Sequence, residues 1–165
     1  MTIRAIAAAI MVAPESLHSR LNSSDDLFDL ALDAALGQDA RVAEAVASAP
    51  LEELMPACYR HLVEHPWAPQ VIAMRAPRGP HYLQLSERMC TLLTKRGVED
   101  PMREANWLTN FTIGSALGTA TANTARFAAI DPVIAPVYAK LHGTNAVDAE
   151  DLYRRGLITL LSAGE

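Results

Sequence analysis

Residues 100–126 read DPMREANWLTNFTIGSALGTATANTAR. Asp100 offers a capping carboxylate, and Pro101 suits a first helical turn, where its missing N–H leaves no bond unmade. No further proline occurs before Pro132, so the stretch predicts one long helix through Trp107, Phe111, Gly114 and Gly118. On one face Trp107 and Phe111 stand a helical turn apart, followed by Gly114, Ser115, Gly118, Thr119 and Ala122. The face is bulky at its start and nearly bare beyond. Its aromatic half can wall a cavity, and its small half lets another helix approach closely, although each internal glycine costs about 1 kcal/mol of helix propensity. Plain core is the competing reading of the same face.

The rest of the chain agrees with a helical protein. Half of its 165 residues are apolar but only 5% are aromatic, and β-branched alternation is nowhere sustained, so an all-α fold follows. The length fits one domain, or a large one with a small appendage, and such a chain buries a core without staples. The net charge of −5 argues against general coating of nucleic acid or anionic membrane. Cys58 and Cys90 fit no CxxC motif and read as reduced thiols. No apolar run reaches the eighteen or so residues of a membrane span, so no membrane partner is expected. Arg4 ahead of Ala5 to Ala13 superficially resembles a signal-peptide core, but a clear cleavage site is lacking, and a cytoplasmic location is expected.

Near the N-terminus, Thr2 to Ile10 reads as a short helix with Ile3, Ile6, Ala7 and Ile10 on one face. Pro14 opens a second through Leu17 and Leu21, which together make a helix-turn-helix pattern. Ser23 to Asp26 supply a cap and acidic first turn for a third helix that ends at Gly37. Asp39 to Ala49 and Leu51 to Glu64 follow, the latter with Leu54, Cys58, His61 and Leu62 on one side and Met55 and Tyr59 flanking it. Trp67 to Arg75 is short. His81 to Arg96 directs Leu85, Met89, Leu92 and Leu93 inward before Gly97. Asp131-Pro132 opens a helix through Tyr138 to Leu141, and Asp148 begins the last one, striped by Leu152, Gly156, Leu157, Leu160 and Leu161.

No enzyme constellation is present, since phosphate loops, paired nucleophile and base motifs and G-x-S-x-G are all missing. No cofactor is expected. His61 and His65 have the four-residue spacing of a metal pair, but there is no HExxH pattern and Pro66 restrains the helix end, so no metal site is expected either.

Residues 2–36, TIRAIAAAIMVAPESLHSRLNSSDDLFDLALDAAL, are similar almost position for position to the DNA-binding segment of TetR-type transcriptional repressors. Residues 65–117, from His65-Pro66-Trp67 through Gly79-Pro80 to Leu117, resemble the regulatory domain of the tetracycline-repressor branch. The resemblance implies a homodimer with a DNA-binding part and linking helix over residues 1–37 and a ligand-binding and dimerisation domain over 38–165. It implies contacts to double-stranded operator DNA from Thr2, Arg4, Ser16, His18, Ser19, Arg20 and Ser24, with Arg20 able to take guanine or phosphate. His18 stands where the family has an aromatic residue, Ser24 where it has a lysine, and Met11 at the turn's usual glycine.

The family's pattern also has a helix ahead of Thr2, without a counterpart here, and residues 2–37 carry two arginines against five carboxylates, a net charge of −3. DNA affinity of this chain is therefore expected to be weak. The resemblance places a small-molecule effector among Met55, Tyr59, Met89, Trp107, Asn110 and Phe111. That lining suits a largely apolar ligand oriented by Tyr59 and Asn110. The dimer is expected to form where Gly114, Gly118 and Ala122 meet Leu157, Leu160 and Leu161 of the final helix, doubled into a four-helix interface; the alternative is a pairing of the two helices within one chain only. The reading is a TetR-like repressor controlled by an apolar ligand. Its rivals are a helical ligand-binding or dimerisation protein that never touches DNA, and an unrecognised enzyme.

Overall fold

The computed structural model describes residues 24–74, 77, 79–125, 129–142 and 148–163, with the side chains of 24, 25, 74, 120–125 and 163 left aside. Among these residues α-helix is the only regular secondary structure. The elements are α1 (Ser24–Gln38), α2 (Ala40–Ser48), α3 (Leu51–Glu64), α4 (Ala68–Met74), α5 (Pro80–Lys95), α6 (Pro101–Ala125), α7 (Pro136–His142) and α8 (Ala149–Ala163). The two helices expected between Thr2 and Leu21 lie outside the described residues.

Local chemistry sets most of these boundaries. Asp39 caps α2, its carboxylate accepting from the N–H groups of Arg41 and Val42, and Asp148 does the same for Glu150 and Asp151 in α8. Asp100 accepts from Arg103 N at 3.0 Å, with Pro101 opening α6 as its sequence predicts. At the end of α5, Gly97 takes φ +76°. Its N–H reaches Thr94 O while Val98 N reaches Leu93 O, the pair of bonds by which a left-handed glycine closes a helix. One boundary differs from expectation. Asp131-Pro132 forms only a turn, and α7 starts at Pro136, because a second proline cannot take up a bond from the turn before it but suits a first helical position.

The long helix of residues 101–125 packs against α3, α4, α5 and α8, and α3 in turn packs against α2 and α8. Leu51, Leu54, Met55, Leu93, Leu108 and Tyr153 are almost wholly buried at these contacts. Across α3, α6 and α8, Tyr59 stacks on Tyr153 with centroids 4.2 Å apart, and Phe111 stacks on its other side at 5.3 Å. Thr112 Oγ1 and Tyr153 Oη are 2.9 Å apart, and Tyr59 Oη and Thr119 Oγ1 2.7 Å, so the buried phenols are satisfied. On the other flank Asp33 of α1 reaches the start of α5 and accepts from His81 N at 2.8 Å. That side chain leaves no room for a Cβ at Gly79, so helix α5 is capped by a neighbouring helix.

Candidate functional site

Between α1, α3, α4, α5 and α6 the packing leaves a cavity with about 490 Å³ of atom-free space, solvent at its mouth included. Leu32 and Leu36 of α1, Met55, Cys58, His61 and Leu62 of α3, and Ile72 of α4 form one side. Tyr82, Leu85, Ser86 and Met89 of α5 and Thr109, Thr112 and Ile113 of α6 form the other. The lining is overwhelmingly apolar. Its hydroxyls are partly engaged, since Ser86 Oγ donates to Tyr82 O and Thr112 Oγ1 to Leu108 O. Burial pushes the Cys58 thiol up to about 12, so this cysteine is an inert wall residue.

The charged feature of the wall lies behind His61. The ring is fully buried, and its Nδ1 is 3.0 Å from Oδ2 of Asp39. Burial opposes ionisation of that carboxyl, but hydrogen bonds from Arg41 and His61 outweigh it and carry Asp39 down to about 2. Burial holds the His61 imidazole below its ordinary value despite Asp39. The pair is thus a carboxylate and a neutral imidazole, with the imidazole proton on Nδ1. Arg41 also pairs with Glu64, which ties the start of α2 to the end of α3.

Met55 and Met89 are the expected ligand residues that line this cavity. Tyr59 and Phe111 instead close the contact with α8, because each lies around its helix from the cavity-facing arc and is taken up by Tyr153. Trp107 is 55% exposed and Asn110 is exposed as well. The buried arc of α6 runs through Ala105, Leu108, Thr112 and Ala116, which turns Trp107 and Asn110 to the outside. The expected small-residue face accordingly points outward too: a Cβ at Gly114 or Gly118 would meet nothing within 4 Å. Leu157 and Leu161 are buried within the chain and Leu160 packs against the core, so these three belong to the intrachain contact of α8. Ala122 lies in α6, its side chain outside the described residues.

The Tetracyclin repressor-like, C-terminal domain family matches residues 47–162, which is more than half of the chain. The chain belongs to the TetR family. An HTH-type transcriptional regulator of Saccharopolyspora erythraea is 30% identical over 122 residues. That match takes in 70% of this chain and 50% of the relative, so the chain spans about half the relative's length. The Streptomyces coelicolor TetR family protein ActR, in a crystal structure with (S)-DNPA, superposes with a TM-score of 0.71 at 21% identity over 99% of this chain and 86% of that one. ActR in complex with actinorhodin gives a TM-score of 0.68 at 20% identity, with the same coverage. These structures share the TetR fold with this chain.

For the TetR-type DNA contacts, Thr2, Arg4, Ser16, His18, Ser19 and Arg20 lie outside the described residues, and Ser24 is the first residue of α1. Among the described residues no helix is long and apolar enough to cross a membrane, and no group of three or more His, Cys, Asp or Glu could hold a metal ion. Sequence reading missed much of the wall, including His61, Tyr82, Ser86 and Thr112. His61 does carry a signal, since it sits seven residues after Leu54 on the buried side of α3, where a polar residue needs a partner.

Proposed function

We propose that this TetR-family regulator is a repressor whose grip on operator DNA is released by a small, largely apolar molecule bound in the cavity. One observation carries the reading: Leu32 and Leu36, which line the cavity, belong to α1, the linking helix at the end of the segment that resembles the DNA-binding part. A ligand touching these leucines acts on the element that joins the two functions. In this reading residues 1–37 form the DNA-binding part with its linking helix and 38–165 the ligand-binding and dimerisation part. A ligand that fits better when α1 is placed for release than when it is placed for DNA shifts the population accordingly.

Two copies supply the two DNA contacts. The outward face of α6 supports such pairing, with Trp107 and Leu117 exposed beside the bare Gly114 and Gly118. So does α7 with the turn before it, where Val133, Ile134, Val137, Tyr138 and Leu141 are all exposed; contiguous apolar surface of this kind marks an interaction site. The ligand complexes of the structurally similar ActR favour a small organic effector here as well.

The test is fluorescence anisotropy of labelled DNA taken from upstream of the protein's own gene, with and without apolar aromatic compounds. The reading expects salt-sensitive DNA binding that a subset of the compounds abolishes. Compound binding with no DNA affinity at low salt would leave the rival helical ligand-binding protein instead.

A further inference from the structure

We propose that the cavity selects apolar ligands that donate a hydrogen bond, and that the acceptor is Nε2 of His61. The inference rests on the reading of this cavity as the effector site and adds the chemistry by which it chooses.

The geometry leaves His61 one free valence. Its Nδ1 is held 3.0 Å from Asp39 Oδ2, and Asp39 is fixed by the N-terminal N–H groups of α2 and by Arg41. A carboxylate only accepts, so Nδ1 carries the proton and Nε2 presents a lone pair. Nε2 has no hydrogen-bond partner among the described residues, and the ring it belongs to is a fully buried wall residue of the cavity. Among the described residues, Glu64 and His65 also act electrostatically on the ring, the latter with its ring centroid 4.6 Å away; Arg41 pairs with Asp39 and Glu64, and the titratable Cys58 and Tyr82 line the same cavity. Burial resists placing a second proton on this imidazole, so Nε2 stays an acceptor near neutral pH.

An unsatisfied buried acceptor discriminates between ligands that share one apolar skeleton. A hydroxyl on an apolar skeleton satisfies Nε2, whereas its O-methyl ether covers the same nitrogen and leaves it without a donor. The site thus favours alcohols and phenols over ethers. It also disfavours carboxylates, whose anionic oxygens meet a lone pair backed by the Asp39 charge.

The test uses 2-naphthol and 2-methoxynaphthalene as probes on the full chain, followed by titration calorimetry. The wild type should bind 2-naphthol at least about tenfold more tightly. His61→Phe should lose that preference while still binding the ether. Independently of any variant, the ¹⁵N resonance of His61 Nε2 should move away from that of a bare imidazole nitrogen with 2-naphthol and stay put with the ether. Equal affinities with an unmoved resonance overturn the inference and leave the cavity reading intact, as when water meets Nε2. Failure of both probes, and of related alcohols and ethers, to bind overturns the cavity reading and the inference with it.

Discussion

Phe111 of α6 lies so close to Gly156 of α8 that a Cβ on the glycine would come within 2.5 Å of the ring's Cζ. The same ring stacks on Tyr153, one turn before Gly156, so it is held against α8 and cannot swing away cheaply. Gly156→Ala should therefore destabilise the protein by about 1–3 kcal/mol through overpacking, although alanine is the better helix former by about 1 kcal/mol. Urea denaturation checks it. An unchanged or higher midpoint would mean that α8 shifts freely on α6.

The opposite sign is expected on the outer face. Gly118 has open space around it within one chain, so in a monomer Gly118→Ala should stabilise α6 by up to about 1 kcal/mol. Gly118→Trp should leave the fold intact but drive the protein towards monomer, because a bulky side chain props the paired helices apart. Sedimentation velocity at high micromolar concentration decides: an unmodified chain that stays monomeric there ends the proposal that this face joins two copies.

The outcome at α6 marks where sequence reading stops. Spacing fixed that Trp107, Gly114 and Gly118 share a face, because 3.6 residues per turn leaves no choice. Nothing in the spacing says whether that face looks in or out; the buried arc through Leu108 and Thr112 decides it, and that depends on where α3, α5 and α8 dock. Local signals fared better, since Gly97 and Asp100 end and start their helices through bonds to residues within five positions. The partnership of His61 and Asp39 was beyond such reasoning. Asp39 reads as an ordinary N-cap, and no periodicity connects it to a histidine 22 residues further along.

That partnership makes a prediction for pH. His61 binds its second proton less readily folded than unfolded, so its contribution is complete above the unfolded value of about 6.5 and stability falls as pH drops below it. Asp39 is shifted down from 3.8 to about 2. Its contribution is complete above 3.8 and is lost as pH falls towards 2. Asp39→Asn keeps a side chain able to cap α2 but removes the charge. It should flatten the acid limb of the stability curve by on the order of 1 kcal/mol, discounted because Arg41 is half exposed and screened. Denaturation midpoints between pH 2 and 8 for both proteins measure this; identical curves would show that Asp39 titrates alike folded and unfolded.

The last prediction contrasts two neighbours on α6. Trp107 is 55% exposed whereas Leu108 is fully buried, so truncation should separate folding from assembly. Leu108→Ala should cost about 2–5 kcal/mol, the range for a buried leucine whose cavity cannot collapse. Trp107→Ala removes the larger side chain yet should cost the single chain less than about 1 kcal/mol, because most of its ring gains nothing from the core. Its effect should appear on dilution: if the outer face pairs two copies, the variant's midpoint falls as protein concentration is lowered, over a range where the wild type still holds. Denaturation of both variants at two concentrations a hundredfold apart separates the cases. A concentration-independent loss at Trp107 as large as that at Leu108 would place the indole in the core after all, contrary to the outward turn of this face.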